Sequence, residues 1–209
     1  MKPIFITGTG TNVGKTLVAA IVTEALEADY WKPVQAGFSE GTDSIFVEQL
    51  ISNNKTKIHP ELYKFKMAAS PHLAAKAENT KIVLKDILHH LPNTKNQLII
   101  EGAGGLMVPL NKKEFVLHLI KKLKAKVIIV SKNELGSINH SLLTAAVLKK
   151  EKADVAGWIF NEEYLHYENE IEKWSGYPII ASVKHLKDIT KESIKAEAEN
   201  MKTLLQKFL

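Results

Sequence analysis

Short uninterrupted apolar runs alternate along the chain with longer stretches of helical periodicity. Ile4-Phe5-Ile6, Leu98-Ile99-Ile100, Val127-Ile128-Ile129-Val130 and Trp158-Ile159-Phe160 are too short for buried helices and rich in β-branched and aromatic residues. Each predicts a strand buried on both faces. Tyr30-Trp31-Lys32-Pro33-Val34 reads as a further short strand running into a turn at Gln35-Ala36-Gly37, and residues 177–181 as the last strand. Helices are expected over residues 14–28, 44–51, 70–79, 82–91, 114–123, 137–151 and 168–174. A final helix carries the stripe Ile194, Ala198, Met201, Leu205, Phe208. Thr42 or Asp43 is the candidate N-cap of the second helix, and Ser70 followed by Pro71 opens the third. Residues 38–42 and 52–57 read as polar connections.

Strands that are apolar on both faces and alternate with helices predict an α/β fold, a three-layer, doubly wound, mostly parallel sheet. Ligands of such sheets sit at strand carboxyl ends. Residues 7–16, 32–37, 101–105, 135–139 and Asn161 all fall on that edge. The helix over 114–123 sets Val116, Leu119, Ile120 and Leu123 on one face and Lys121, Lys122 and Lys124 off it. Such a pattern fits a membrane-surface helix or a core helix with a solvated lysine face, and the second is the expected one. No repeat or linker divides the chain, so residues 1–209 are expected to form one domain.

Composition narrows the partners. The net charge of +5 is carried by lysine alone, with no arginine. Guanidinium is the group of choice for bidentate phosphate and base contacts, so no nucleic-acid partner is expected. The chain has no cysteine, which excludes disulfides, thiolate nucleophiles and cysteine-based metal sites. No apolar run is long enough to span a bilayer, and a strand at the N-terminus leaves no room for a signal peptide. A cytoplasmic protein without a membrane partner is the expectation.

The chemistry starts at Thr7-Gly8-Thr9-Gly10-Thr11-Asn12-Val13-Gly14-Lys15-Thr16. A strand entering a glycine loop, then Gly-Lys-Thr and a helix, is the layout of a phosphate-binding P-loop, here one residue longer than the usual G-x4-G-K-[ST]. Backbone N–H groups and the helix N-terminus would hold phosphate, Lys15 would reach the outer phosphates, and the Thr16 hydroxyl would bind Mg²⁺. The apolar strand ending in Glu101 supplies a carboxylate opposite that threonine, as a Mg²⁺ site requires. A strand-to-helix turn with an accidental Gly-Lys-Thr, and a strand-end acid capping a turn, are the plain alternatives.

Taken together, these pieces resemble the dethiobiotin synthetases, a family of P-loop NTPase type. The matching segments are the loop itself, Lys32-Pro33-Val34-Gln35-Ala36-Gly37, Thr42-Asp43, Ser70-Pro71-His72, residues 101–110 beginning Glu101-Gly102-Ala103-Gly104-Gly105, Leu135-Gly136-Ser137-Ile138-Asn139-His140, and Ala156-Gly157-Trp158-Ile159-Phe160-Asn161. The lengthened loop is that family's own form. The resemblance implies an ATP-dependent cyclo-ligase that carboxylates 7,8-diaminononanoate with CO₂ and closes the ring through a carbamate and a carbamic-phosphoric anhydride. It implies catalytic roles for Lys32, Lys15 and Thr11, and a Mg²⁺ site of Thr16, Asp43 and Glu101. ATP contacts would come from Asn12, Val13, Gly14, Lys15, Thr16, Leu17, Asp43, Glu101, Gly102, Ala103, Gly104 and Asn161, the last reading adenine. Thr11 and Lys32 would touch the substrate. Its carboxylate would lie at Ser137, Ile138 and Asn139 of a neighbouring subunit, which implies a homodimer with a shared active site.

Plainer readings stand beside these: Lys32 as a surface lysine before proline, Asp43 as a helix cap, Asn161 as a turn former and Ser137 as an N-cap. Ala36 replaces a substrate-touching serine of some members, and Val183-Lys184-His185-Leu186 replaces a Pro-Trp-type segment near the base. Tyr164 and Tyr167 are both candidates for the family's substrate-contacting tyrosine. The rival is a partitioning-type P-loop switch ATPase acting on DNA or membrane. Such proteins carry a signature lysine where Gly10 stands here.

Overall fold

The structure, a computed structural model, describes residues 1–39 and 41–209; residue 40, within the polar connection expected over 38–42, lies outside the described residues. In chain order the elements are β1 (Ile4–Gly8), α1 (Lys15–Leu26), β2 (Asp29–Trp31), β3 (Val34–Ala36), α2 (Asp43–Leu50), β4 (Ile58–His59), β5 (Tyr63–Phe65), α3 (Pro71–Ala77) and α4 (Leu84–His89). There follow β6 (Leu98–Gly105), α5 (Val116–Leu123), β7 (Lys126–Lys132), α6 (Ser137–Lys150), β8 (Asp154–Asn161), α7 (Glu168–Ser175), β9 (Ile179–Val183) and α8 (Lys191–Phe208). Seven strands form one sheet in the order β4-β2-β6-β1-β7-β8-β9, with every pairing parallel.

Alternating side chains of the same strands feed two separate cores, the expected consequence of a two-residue strand period. Ile4, Ile6, Tyr30, Ile99, Ile128 and Ile159 pack under α1, α2 and α8. Phe5, Trp31, Ile100, Val127, Ile129, Trp158 and Phe160 pack under α3 to α7. Val116, Leu117, Leu119 and Ile120 are buried in the second core, so α5 is a core helix and its lysines are its solvent side. Among the described residues no helix is long and apolar enough to cross a membrane.

The strand expected over 30–34 is two strands. Pro33 has no N–H for a ladder and restricts the residue before it, so the edge is interrupted at Lys32. The Pro33 carbonyl instead accepts from Leu62 N (3.2 Å) and Tyr63 N (3.0 Å). The chain resumes as β3, which pairs in parallel with β5 in a small sheet of its own. Neither β4 nor β5 was foreseen, because two or three residues carry no readable period. Thr42, not Asp43, caps α2, its hydroxyl accepting from Ile45 N at 3.3 Å. The strand expected to end at Glu101 continues to Gly105.

Candidate nucleotide and cation site

Buried β1 delivers the glycine loop to the carboxyl edge of the sheet, at its centre between β6 and β7. Thr9 N donates to Val130 O at 3.0 Å and ties the loop's start to β7. At its end Gly14 takes φ +88°, and a Cβ there would stand 2.2 Å from Asn161 Nδ2. Only glycine meets both demands cheaply. At the first turn α1 has no acidic residue, so its N-terminal partial positive charge is uncompensated.

Lys15 lies under this loop, 7% exposed, and its Nζ donates to Gly10 O at 2.8 Å. Burial is the main cause that brings its pKa from 10.5 to about 8; Glu101 and Asp43 work against that fall and Lys32 adds to it. This ammonium is short of negative charge.

The neighbouring corner is satisfied. Lys32 Nζ donates to Glu101 Oε1 at 2.7 Å and to Asp43 Oδ2. Thr16 Oγ1 donates to the same Glu101 oxygen at 2.9 Å, and the buried Tyr30 hydroxyl donates to Oε2 at 2.8 Å. Burial pulls the Lys32 pKa down, but the carboxylates of Glu101 and then Asp43 more than offset it, and the net shift is upward. Gln35 Oε1 accepts from Asp43 N at 3.3 Å and fixes the start of α2.

Both corners open into one pocket of about 780 Å³. Thr11, Asn12, Gly14, Lys15, Thr16, Leu17, Lys32, Asp43, Glu101, Ala103 and Gly104 line it, with Gln35, Ala36 and residues 68–71 on the facing wall. Val13 and Gly102 do not line it. Val13 is buried, and a Cβ on Gly102 would stand 2.7 Å from the Phe5 ring, so that glycine serves β1–β6 packing. Asn161 ends β8 behind the loop and donates through Nδ2 to Val13 O at 3.3 Å.

Ser137, Ile138 and Asn139 do not line this pocket. Gly136 is the N-cap of α6, and Ser137 N donates to Glu134 O (3.1 Å). Ser137 Oγ meets the Tyr167 hydroxyl at 2.5 Å, and that hydroxyl also reaches Glu134 O at 2.9 Å. Tyr167 is thereby engaged within its own chain, whereas Tyr164 is 37% exposed. Ala36 half-faces the pocket, and Lys184 lies exposed, 3.6 Å from Glu163.

Tyr30 and Gln35 were missed as site residues. A signal for Tyr30 was present: it stands two residues before Lys32, on the same side of an extended chain.

A parallel sheet with a glycine loop at its central strand, a lysine and threonine opening the next helix, and a carboxylate on the neighbouring strand defines a P-loop NTPase. The likeness in fold extends to the ParA family ATPase from Chlorobium tepidum, with a TM-score of 0.59 at 15% identity over 99% of this chain and 92% of that one. A family model described as an AAA domain matches residues 2–193. The ATP-dependent dethiobiotin synthetase BioD of Cytophaga hutchinsonii is 50% identical over 95% of this chain and 96% of its own length. That of Christiangramia forsetii is 43% identical over 98% of both. The chain belongs to the dethiobiotin synthetase family.

Proposed function

We propose that this chain, as one domain over residues 1–209, carries out the ATP- and Mg²⁺-dependent carboxylation and ring closure of 7,8-diaminononanoate in biotin biosynthesis. Beyond family membership, one observation carries the reading. Lys32 stands between Glu101 and Asp43, beside Thr16 and Lys15, in a pocket at the mouth of the glycine loop.

The chemistry joins a substrate amine nitrogen to CO₂ with loss of a proton, giving a carbamate. A carbamate oxygen takes the terminal phosphoryl group of ATP and ADP leaves. The second amine then attacks the carbonyl carbon and gives up a proton, phosphate departs, and the cyclic urea closes. Two anions must be held side by side, so the protein's task is to position them and offset their repulsion. Lys32 serves the carbamate and the anhydride, Lys15 bridges to the γ-phosphate, and Thr11 hydrogen-bonds substrate.

The pocket's own charges cancel, Lys15 and Lys32 against Asp43 and Glu101, so an incoming triphosphate brings an excess of negative charge. Two carboxylates meeting at one ammonium, with a hydroxyl on one of them, form a hard-oxygen set that suits Mg²⁺. Thr16, Asp43 and Glu101 would hold the ion. Among the described residues no group of three histidines or acids competes for it. When bound, the ion neutralises charge on the phosphoryl oxygens.

Asn161 reads the adenine through the amide oxygen left over from its bond to Val13. The substrate carboxylate is taken by the start of α6 from a second copy, in a homodimer that shares its sites. Support comes from that segment's absence from its own pocket, and from Leu135, Leu143 and Met107, which are 88%, 59% and 53% exposed. Purified protein given MgATP, bicarbonate and diaminononanoate is expected to yield dethiobiotin by mass, and light scattering to give a dimer. Hydrolysis stimulated by DNA or lipid, with no ring-closed product, would replace the reading with the partitioning-type one.

A further inference from the structure

We propose that Tyr30 is a positioning residue for Glu101, locking its carboxylate so that one oxygen alone faces Thr16, Lys32 and the cation. The proposal rests on the functional reading above.

Tyr30 and Glu101 are both closed off from solvent, at 0% and 1% exposure. A carboxylate in such a place has a choice of rotations about its last bond, and its two oxygens are chemically alike. Here the choice is removed. Oε2 accepts from the Tyr30 hydroxyl at 2.8 Å, while Oε1 accepts from Thr16 Oγ1 at 2.9 Å and from Lys32 Nζ at 2.7 Å. All the donors on the pocket side therefore converge on a single atom.

The ring that carries the hydroxyl is itself immobile. Tyr30 pairs with Ile99 on β6 and with Ile58 on β4 and packs in the core beneath α1. Burial and the Glu101 charge push its phenol well above 10, so it stays a donor throughout the working range. Among the described residues the Tyr30 hydroxyl bonds no pocket-lining group other than Glu101, and Tyr30 does not itself line the pocket.

Tyr30→Phe keeps the ring and removes the tether. Two readouts decide the role: the Mg²⁺ concentration needed to saturate ADP binding, read by calorimetry without turnover, and the kcat and KM of the full reaction. Expected is a rise of about fivefold or more in the Mg²⁺ requirement, unchanged metal-free ADP binding, and a tenfold lower kcat with KM for the diamine within twofold. Ile99→Val, which loosens the same strand pair without touching a polar group, is expected to move none of these. Equal Mg²⁺ dependence in Tyr30→Phe and wild type, or an equal shift in Ile99→Val, would overturn the proposal. Should wild type make no ring-closed product, the functional reading fails, while the calorimetric arm still judges Tyr30.

Discussion

Two corners of the pocket each hold a buried lysine, and they hold it in opposite ways. At the β2–β6 corner, Lys32 has two carboxylates, and its pKa stands above the ordinary value. At the loop corner, Lys15 has one backbone carbonyl, and its pKa falls to about 8. The first corner is complete in itself and arranged before any ligand arrives. The second is incomplete and costs stability until an anion reaches it. A site built this way binds phosphate where it is electrostatically deficient and keeps its reacting geometry where it is rigid.

The harshest test removes the complete corner's cation. Lys32→Ala is expected to lower kcat by about 10³-fold or more while leaving ATP affinity within a few-fold, measured by product mass and calorimetry. It also strands Glu101, whose side chain is fully buried, against Asp43. Breaking a buried pair in this manner costs about 3–5 kcal/mol, which a urea melt will show. Near-normal turnover would make Lys32 a structural pin alone.

Lys15→Met should do the reverse on the stability axis. The unfolded pKa of 10.5 lies above the folded value of about 8, so charged Lys15 weakens the fold below pH 8, and stability recovers as pH rises from 8 toward 10.5. The gap corresponds to roughly 3 kcal/mol at most. Lys15→Met is therefore expected to melt at higher denaturant than wild type at pH 7, with the gain vanishing by about pH 10, while ATP affinity falls about 100-fold. A less stable variant would mean that the Gly10 contact outweighs the burial.

The contrast between the corners also marks what could be read from sequence. The parallel sheet, the loop and the pairing of Thr16 with Glu101 were legible, because apolar runs and Gly-Lys-Thr are local signals. The link between Ser137 and Tyr167 was not legible, since it spans thirty residues and leaves no local pattern. The split at Pro33 was in plain view as a proline within a strand, yet the small β3–β5 sheet depends on a partner too short to show a period. Lys32 could be assigned by resemblance, but its partners Glu101 and Asp43 come from different elements, and only the fold brings them together.

A gentler perturbation is pH. Because free Lys15 loses its proton from about pH 8 and a bound phosphate restores it, nucleotide binding should take up protons on the alkaline side. Affinity should fall by up to about tenfold per pH unit above 8, and calorimetry in two buffers at pH 8.5 should show uptake of more than half a proton. No uptake in wild type, or the same uptake in Lys15→Met, would assign the alkaline limb to another group.

The smallest expected effect concerns Asn161, which serves the incomplete corner from outside. Its Nδ2 is spent on Val13 O at 3.3 Å, a long bond worth about 0.5–1.5 kcal/mol net, and its Oδ1 is what remains to accept from an adenine amino group. Asn161→Ala removes both and also vacates the space against Gly14, where a Cβ would have stood 2.2 Å from the amide. Two consequences separate cleanly. Loss of the Val13 bond alone would weaken every nucleotide alike, since it acts on the loop and not on the base. Loss of the acceptor would weaken ATP about fivefold and leave GTP, which presents a carbonyl there, unchanged. Equal weakening of both nucleotides would make Asn161 a brace for the loop, and the contrast between the two corners would then owe nothing to the base.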